Sequence, residues 1–284
     1  MSTQPPAPLR AEPCADIGFD AAVAALQWMI EIGVSEPVGD FPRDSYALPE
    51  RLPEAVPAMV AAAQPPGLAS GPAPVPPPVA VDPVAEARLA AEGAATLADL
   101  HAAMAHYSHC ALKKGARNTV FADGNPKARV MIIGEAPGRD EDLQGRPFVG
   151  RAGQLLDRML AAIGLSRSAP DPASAVYITN VMPWRPPQNR DPSPDEIAQM
   201  LPFLARHVEL VAPDLIVLMG NTPCFAALGQ RGITRLRGHW NTAFGRPALP
   251  MTHPAYLLRT PVAKREAWAD LLALRMRLDE ARSA

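Results

Sequence analysis

The stretch Ala128-Arg129-Val130-Met131-Ile132-Ile133-Gly134 decides the fold. Its apolar run is too short for a core helix, does not alternate with polar residues, and stops at a glycine. That is the pattern of a parallel strand buried on both faces. Outward from it, AVYITNV (175–181), DLIVLMG (214–220) and PALPMTH (247–253) read the same way. Helical segments separate these strands. Residues 150–163 carry Leu155, Leu156, Met159, Leu160 and Ile163 on one face, and residues 195–211 follow a Ser193-Pro194 start with Glu196 completing a capping box. A short helix capped by Asn221 or Thr222 runs to Leu228, and a last helix spans 262 to about 281. Before the first strand, residues 84–107 read as one long helix, followed by a loop with Lys113, Lys114 and Arg117. The alternation predicts a three-layer α/β/α domain around a mostly parallel four-stranded sheet. Such sheets bind ligands at the carboxyl ends of their strands.

Composition divides the chain near residue 85. Seventeen of its 34 prolines lie between Pro5 and Pro83, and residues 64–83 form a Pro/Ala/Gly linker that favours extended backbone. Residues 1–85 therefore read as a partly disordered, Pro-rich arm with one short helix at 20–34, containing Trp28, that could meet a protein partner. Residues 86–284 read as the α/β domain. The arm carries a charge of −7 and the domain +5, so the domain's field attracts polyanions. No apolar run approaches the ~20 residues of a membrane span, and the N-terminal residues do not form a secretory signal. Cys14, Cys110 and Cys224 form no CxxC and suit a reducing compartment. A cytoplasmic monomer that does not engage membranes is expected.

The four strand ends place chemistry at one edge of the sheet: Gly134-Glu135-Ala136-Pro137-Gly138, Thr179-Asn180-Val181, Met219-Gly220-Asn221-Thr222 and Thr252-His253-Pro254. A carboxylate, an amide and an imidazole far apart in the chain are thereby brought together. Taken one at a time, Asn180 and His253 could equally be turn or loop residues.

The segments GEAPGRDEDLQGRPFVGRAGQLLDRML (134–160), YITNVMPWRPPQNRDPSPDEI (177–197), GNTP (220–223), ITRLRGHW (233–240) and MTHPAYLLR (251–259) resemble, in order and spacing, the family 4 uracil-DNA glycosylases. The likeness covers roughly residues 105–275. It implies a DNA repair enzyme that flips uracil out of DNA and hydrolyses its N-glycosidic bond, with uracil-containing DNA as its partner. The implied uracil pocket comprises Gly134, Ala136, Pro137, Gly138, Phe148 stacking on the base, and Asn180 reading its edge. An amide both donates and accepts, which suits uracil O4 and N3–H. The implied catalytic residues are His253, donating to the charge that develops at O2, and Glu135 and Asn189, holding the attacking water. DNA contacts are expected from Arg151 and Gly153 at a helix start, Arg237 in a basic loop, and Leu258 with Arg259 as wedge and phosphate contact.

The sequence also departs from the family. Most members hold a [4Fe–4S] cluster on four cysteines, and the matching positions here read Tyr107, Cys110, Trp184 and Met200. One thiolate makes no cluster site, so no cofactor is expected, and the three substitutes should pack where a cluster would sit. The acidic run Asp140-Glu141-Asp142 belongs to the family's motif and is not expected to bind metal. The segment after the second strand has no histidine for covalent capture of the product, and no lysine stands at the strand ends for a lyase step. Two rival readings are a uracil or single-stranded-DNA binding module that has lost turnover and a glycosylase for another deaminated base.

Overall fold

A computed structural model describes residues 82–283 and, before them, Val23 alone. The expected helix at 20–34, the linker up to residue 81, Cys14 and Trp28 lie outside the described residues. By internal contacts the chain divides into Met1–Pro74 and Val75–Ala284, and every element below belongs to the second unit.

Six strands form one sheet: β1 (Ala122–Gly124), β2 (Val130–Gly134), β3 (Val176–Asn180), β4 (Leu215–Met219), β5 (Asn241–Ala243) and β6 (Arg246–Met251). Their order is β1-β3-β2-β4-β6-β5. The inner four, β3, β2, β4 and β6, are parallel, and they are the four strands expected from sequence. The expected count of four falls short because β1 and β5 add antiparallel edges to β3 and β6. Each edge strand has three residues, too few to show any periodicity.

Nine helices are described: α1 (Pro83–Glu92), α2 (Leu97–His106), α3 (Arg139–Gln144), α4 (Arg151–Ala161), α5 (Pro194–Val211), α6 (Asn221–Leu228), α7 (Ile233–Leu236), α8 (Pro254–Arg259) and α9 (Lys264–Ser283). The single helix expected over 84–107 is two. α1 ends at Gly93, and Thr96 restarts the chain with a capping box: its Oγ1 accepts from Asp99 N (3.1 Å) while the Asp99 carboxylate accepts from Thr96 N (2.9 Å). Asn221 does not cap α6. Gly220 (φ 102°) does, and Asn221 Oδ1 accepts from Gly232 N and Ile233 N at the start of α7.

Strand alternation sends side chains to two cores. Met131, Ile133, Tyr177, Ile216 and Leu218 pack with Leu100 and Met104 of α2 and with Ile197, Phe203 and Leu204 of α5. On the other face Val130, Ile132, Val176, Ile178, Val217 and Leu249 meet Leu156 and Leu160 of α4 and Leu271, Leu274 and Leu278 of α9. With both faces covered, the middles of the inner strands are apolar on both sides, which is why they read as continuous runs, and polar residues such as Asn180 appear only at their ends. The sheet thus sits rigidly between two helical layers. Among the described residues no helix is long and apolar enough to cross a membrane.

Candidate active site

Register sets the site. β2 and β3 pair so that Gly134 lies opposite Asn180, and β4 and β6 pair so that Met219 lies opposite Met251. The residues that leave the four inner strands therefore emerge at one edge, around an open cleft of about 520 Å³. That volume lies within the ordinary range of small-ligand clefts, roughly 300–1,000 Å³. Glu135, Ala136, Gly138, Phe148, Asn180, Asn189, His253 and Arg259 all line the cleft. Eight residues singled out from sequence, spread over 125 positions of chain, thus share one space.

Gly134 lies beneath that lining. A Cβ there would overlap Asn180 Oδ1 and come within 2.5 Å of Phe148 Cε2, so glycine lets both side chains close over the strand end. Phe148 is buried with φ 53°, and its ring stacks beside that of His253, centroids 5.4 Å apart at 27°.

His253 caps α8. Its Nδ1 accepts from Ala255 N at 3.1 Å. A nitrogen that accepts carries no proton, so the one proton of the neutral ring is on Nε2. Enclosure, reinforced by the nearby Arg259 guanidinium, lowers its pKa from the ordinary 6.5 to about 4. The ring is a neutral donor at physiological pH.

Glu135 is fixed by Thr222, whose hydroxyl donates to Oε2 at 2.8 Å. Burial raises the Glu135 pKa, and the Thr222 hydrogen bond opposes that rise. Asn189 ends a turn in which it and Gln188 both have φ 54°. Arg185 Nε donates to Asn189 Oδ1 at 2.8 Å. With its oxygen engaged, Asn189 has its NH₂ left to offer the cleft. Thr222 and Arg185 were not anticipated as site residues. Arg185 lies within the quoted RPPQNR motif and Thr222 among the quoted strand ends, so the sequence places each near the site, but neither hydrogen bond can be read from it.

Besides Gly134, five expected contacts fall outside the cleft lining. Pro137 is buried behind it, and Arg151 is exposed at the start of α4. Gly153 packs structurally: a Cβ there would overlap the Phe148 carbonyl. The α4 entrance expected to meet phosphate is occupied by Glu141, whose Oε1 accepts from Val149 N (3.0 Å) and Gly150 N (2.9 Å). A carboxylate already there disfavours a second anion. Arg237 is committed to the protein interior, with Nε on Asp270 Oδ2 at 2.9 Å and Nη2 on both Asp270 Oδ1 and the Glu266 carbonyl. Its phosphate role is replaced by pairing with a carboxylate that is 1% exposed. Leu258, the expected wedge, is half-buried against a small core cluster in which its neighbour Leu257 packs with Leu155 and Ala267.

Tyr107, Cys110, Trp184 and Met200 are all buried in one apolar core. Tyr107 sets its edge on Phe203 and its hydroxyl donates to the Pro83 carbonyl (2.9 Å), and Trp184 Nε1 donates to Thr119 Oγ1 (3.1 Å). Cys110 is the single thiol of the four, and burial raises its pKa, which favours the protonated form. Iron–sulfur clusters need thiolates. These residues do not fit one.

Comparison with known proteins agrees with the geometry. The model of the uracil DNA glycosylase superfamily matches residues 121–272. The type-4 uracil-DNA glycosylase of Archaeoglobus fulgidus is 41% identical over 175 residues, covering 57% of this chain and 82% of that protein. That of Thermotoga maritima is 42% identical over 155 residues, covering 53% and 77%. A type-5 enzyme of Pyrobaculum aerophilum is 32% identical over 130 residues, covering 43% and 54%. The matched region holds all six strands and the whole lining of the cleft, and the chain belongs to the uracil-DNA glycosylase superfamily, in its type-4 branch.

Proposed function

We propose that this member of the uracil-DNA glycosylases extrudes uracil from DNA and hydrolyses its N-glycosidic bond to leave an abasic site, using neither a metal nor an iron–sulfur cluster and performing no lyase step. The observation that carries the reading is the fixed tautomer of His253. Bond cleavage puts positive charge on the sugar and negative charge on the departing base. A neutral imidazole with its proton on Nε2 stabilises that anion as an oriented donor, and it needs no reorganisation as the charge develops.

Extrusion costs the base its stacking and pairing, and a pocket must replace both. Phe148 supplies the stacking face and Asn180 the edge contacts. Thr222 occupies Glu135 Oε2, so Oε1 accepts from a water while the Asn189 NH₂ donates to it. That arrangement orients water toward the anomeric carbon. Arg259 at the rim offers a phosphate contact.

Three further observations support the restricted chemistry. Glu141 and Asp142 are used on backbone N–H groups, Asp142 Oδ1 accepting from Arg117 N and Asn118 N, so the acidic run serves the loops. Among the described residues no lysine lines the cleft, and a lyase step needs an amine nucleophile. The packed core around Cys110 takes the place of a cluster. Retention of Glu135, Asn180, Asn189 and His253 in one cleft favours turnover over a binding-only role, and the Asn180 amide favours uracil among deaminated bases.

The test is a gel assay on oligonucleotides containing uracil, hypoxanthine or thymine, developed with and without alkali, beside iron determination on the same protein. Nicks at uracil that appear only after alkali, from protein with iron far below one atom per chain, are expected. Uracil-independent or alkali-independent cleavage, or four irons per chain, would overturn the corresponding part.

A further inference from the structure

Phe148 holds a backbone conformation that a bulky residue disfavours, so the surrounding structure must impose it. Gly153 admits its carbonyl from below, and Glu141 takes the next two N–H groups. The third restraint is Arg167, in the loop between α4 and β3, whose side chain is 14% exposed. Its Nη2 donates to the Phe148 carbonyl and its Nη1 to the Pro147 carbonyl, both at 2.9 Å. The guanidinium is itself pinned, Nε to Asp157 Oδ1 at 2.8 Å and Nη1 to Asp123 Oδ2 at 3.1 Å. A planar fork across two successive carbonyls fixes the peptide between them, and with it the direction in which the Phe148 side chain leaves the backbone. An ammonium group has no such geometry.

We propose that Arg167, which does not line the cleft, is a positioning residue for base recognition: it holds the Pro147 and Phe148 carbonyls so that the phenyl ring stands over Gly134 beside His253. The proposal rests on the reading of Phe148 as the stacking face. Misplacing a contact by about 1 Å can cost ~100-fold in rate, so the effect is measurable without any contact between Arg167 and DNA.

The test compares wild-type full chain with Arg167→Met, Arg167→Lys, Phe148→Ala and the Arg167→Met/Phe148→Ala double variant. It measures kcat and KM on a uracil-containing single-stranded oligonucleotide, inhibition by free uracil, and Tm. Arg206→Met is the control, since Arg206 also clamps a carbonyl, that of Ala94 at 3.0 and 2.9 Å, but outside the cleft. Arg167→Met should lower kcat/KM by about 10- to 100-fold and weaken inhibition by uracil to match, with Arg167→Lys intermediate. The double variant should be no worse than Phe148→Ala, because both changes act through one ring. Arg206→Met should lower Tm and leave kcat/KM and uracil inhibition alone. Multiplying losses in the double variant, or wild-type uracil inhibition in Arg167→Met, would overturn the proposal. If Arg167→Met does not fold, Arg167→Lys carries the same cycle with the same criterion. An unaffected Phe148→Ala would overturn both the stacking role and this proposal, whereas a damaged Phe148→Ala beside an unaffected Arg167→Met overturns this proposal alone.

Discussion

The cleft at the strand ends and the core around Cys110 are built alike and behave oppositely. Each gathers residues spread over more than 90 positions of chain. In the core, Tyr107, Trp184 and Met200 are at most 6% exposed, and the hydroxyl and indole N–H find partners inside the protein. In the cleft, backbone is held left-handed at Phe148, Gln188 and Asn189, and polar groups line open space. Packing favours matched surfaces and relaxed conformations. Chemistry needs donors aimed where a substrate's charge will appear, held there by the rest of the fold.

The sharpest way to break this comparison is His253→Ala. It should reduce single-turnover uracil release by about 10²–10³, the ~3–4 kcal/mol typical of one preorganised donor, with Tm nearly unchanged. Met200→Ala should do the reverse. It opens a cavity costing about 2–5 kcal/mol in chemical denaturation while the folded fraction keeps its kcat. If Met200→Ala abolished activity in folded protein, the two regions would not be separate.

Asn180→Ala should lower kcat/KM by about 10- to 100-fold, equivalent to the ~1–3 kcal/mol of a buried polar contact left unmade, measured on uracil oligonucleotides.

Acid titration sharpens the contrast further. His253 and the buried His207 have pKa values lowered to about 4 and about 3, from 6.5, by burial. Between 6.5 and about 4 the unfolded chain binds protons that the folded chain refuses. Stability present above pH 6.5 is therefore lost as pH falls, by ~1.4 kcal/mol per pH unit for each group, the His207 share continuing to about pH 3. Urea midpoints at pH 7 and 5 check this, and the slope should shrink in His253→Ala.

The smallest expected effect separates two arginines. Arg259→Ala should weaken binding to DNA and reduce the salt slope by about one. Arg237→Ala should leave that slope unchanged and lower Tm, because it strands the buried Asp270 carboxylate.

How much of this was legible in sequence follows from where the information resides. The inner strands were plain because both their faces are buried. β1 and β5, three residues each on the edges, carry no pattern. The break between α1 and α2 had a signal, Thr96 followed by Asp99, but it was hidden in an Ala- and Leu-rich run. Strand-end logic gathered Glu135, Asn180 and His253, and the family likeness added Phe148 and Asn189. The residues that hold them were not legible. Arg167 grips backbone carbonyls, which have no identity in a sequence, and Thr222 reaches a carboxylate 87 positions away. Arg237 looked like a phosphate contact because its partner Asp270, 33 residues on, is set by tertiary structure alone.

The proposed chemistry depends on His253 being a neutral Nε2–H donor. ¹⁵N-labelled imidazole observed by NMR across pH 3.5 to 8 tests it most directly. The expected result is a ring protonated at Nε2 alone from pH 8 down to about 5, gaining its second proton near pH 4. A midpoint near 6.5, or a proton on Nδ1 at neutral pH, would contradict it.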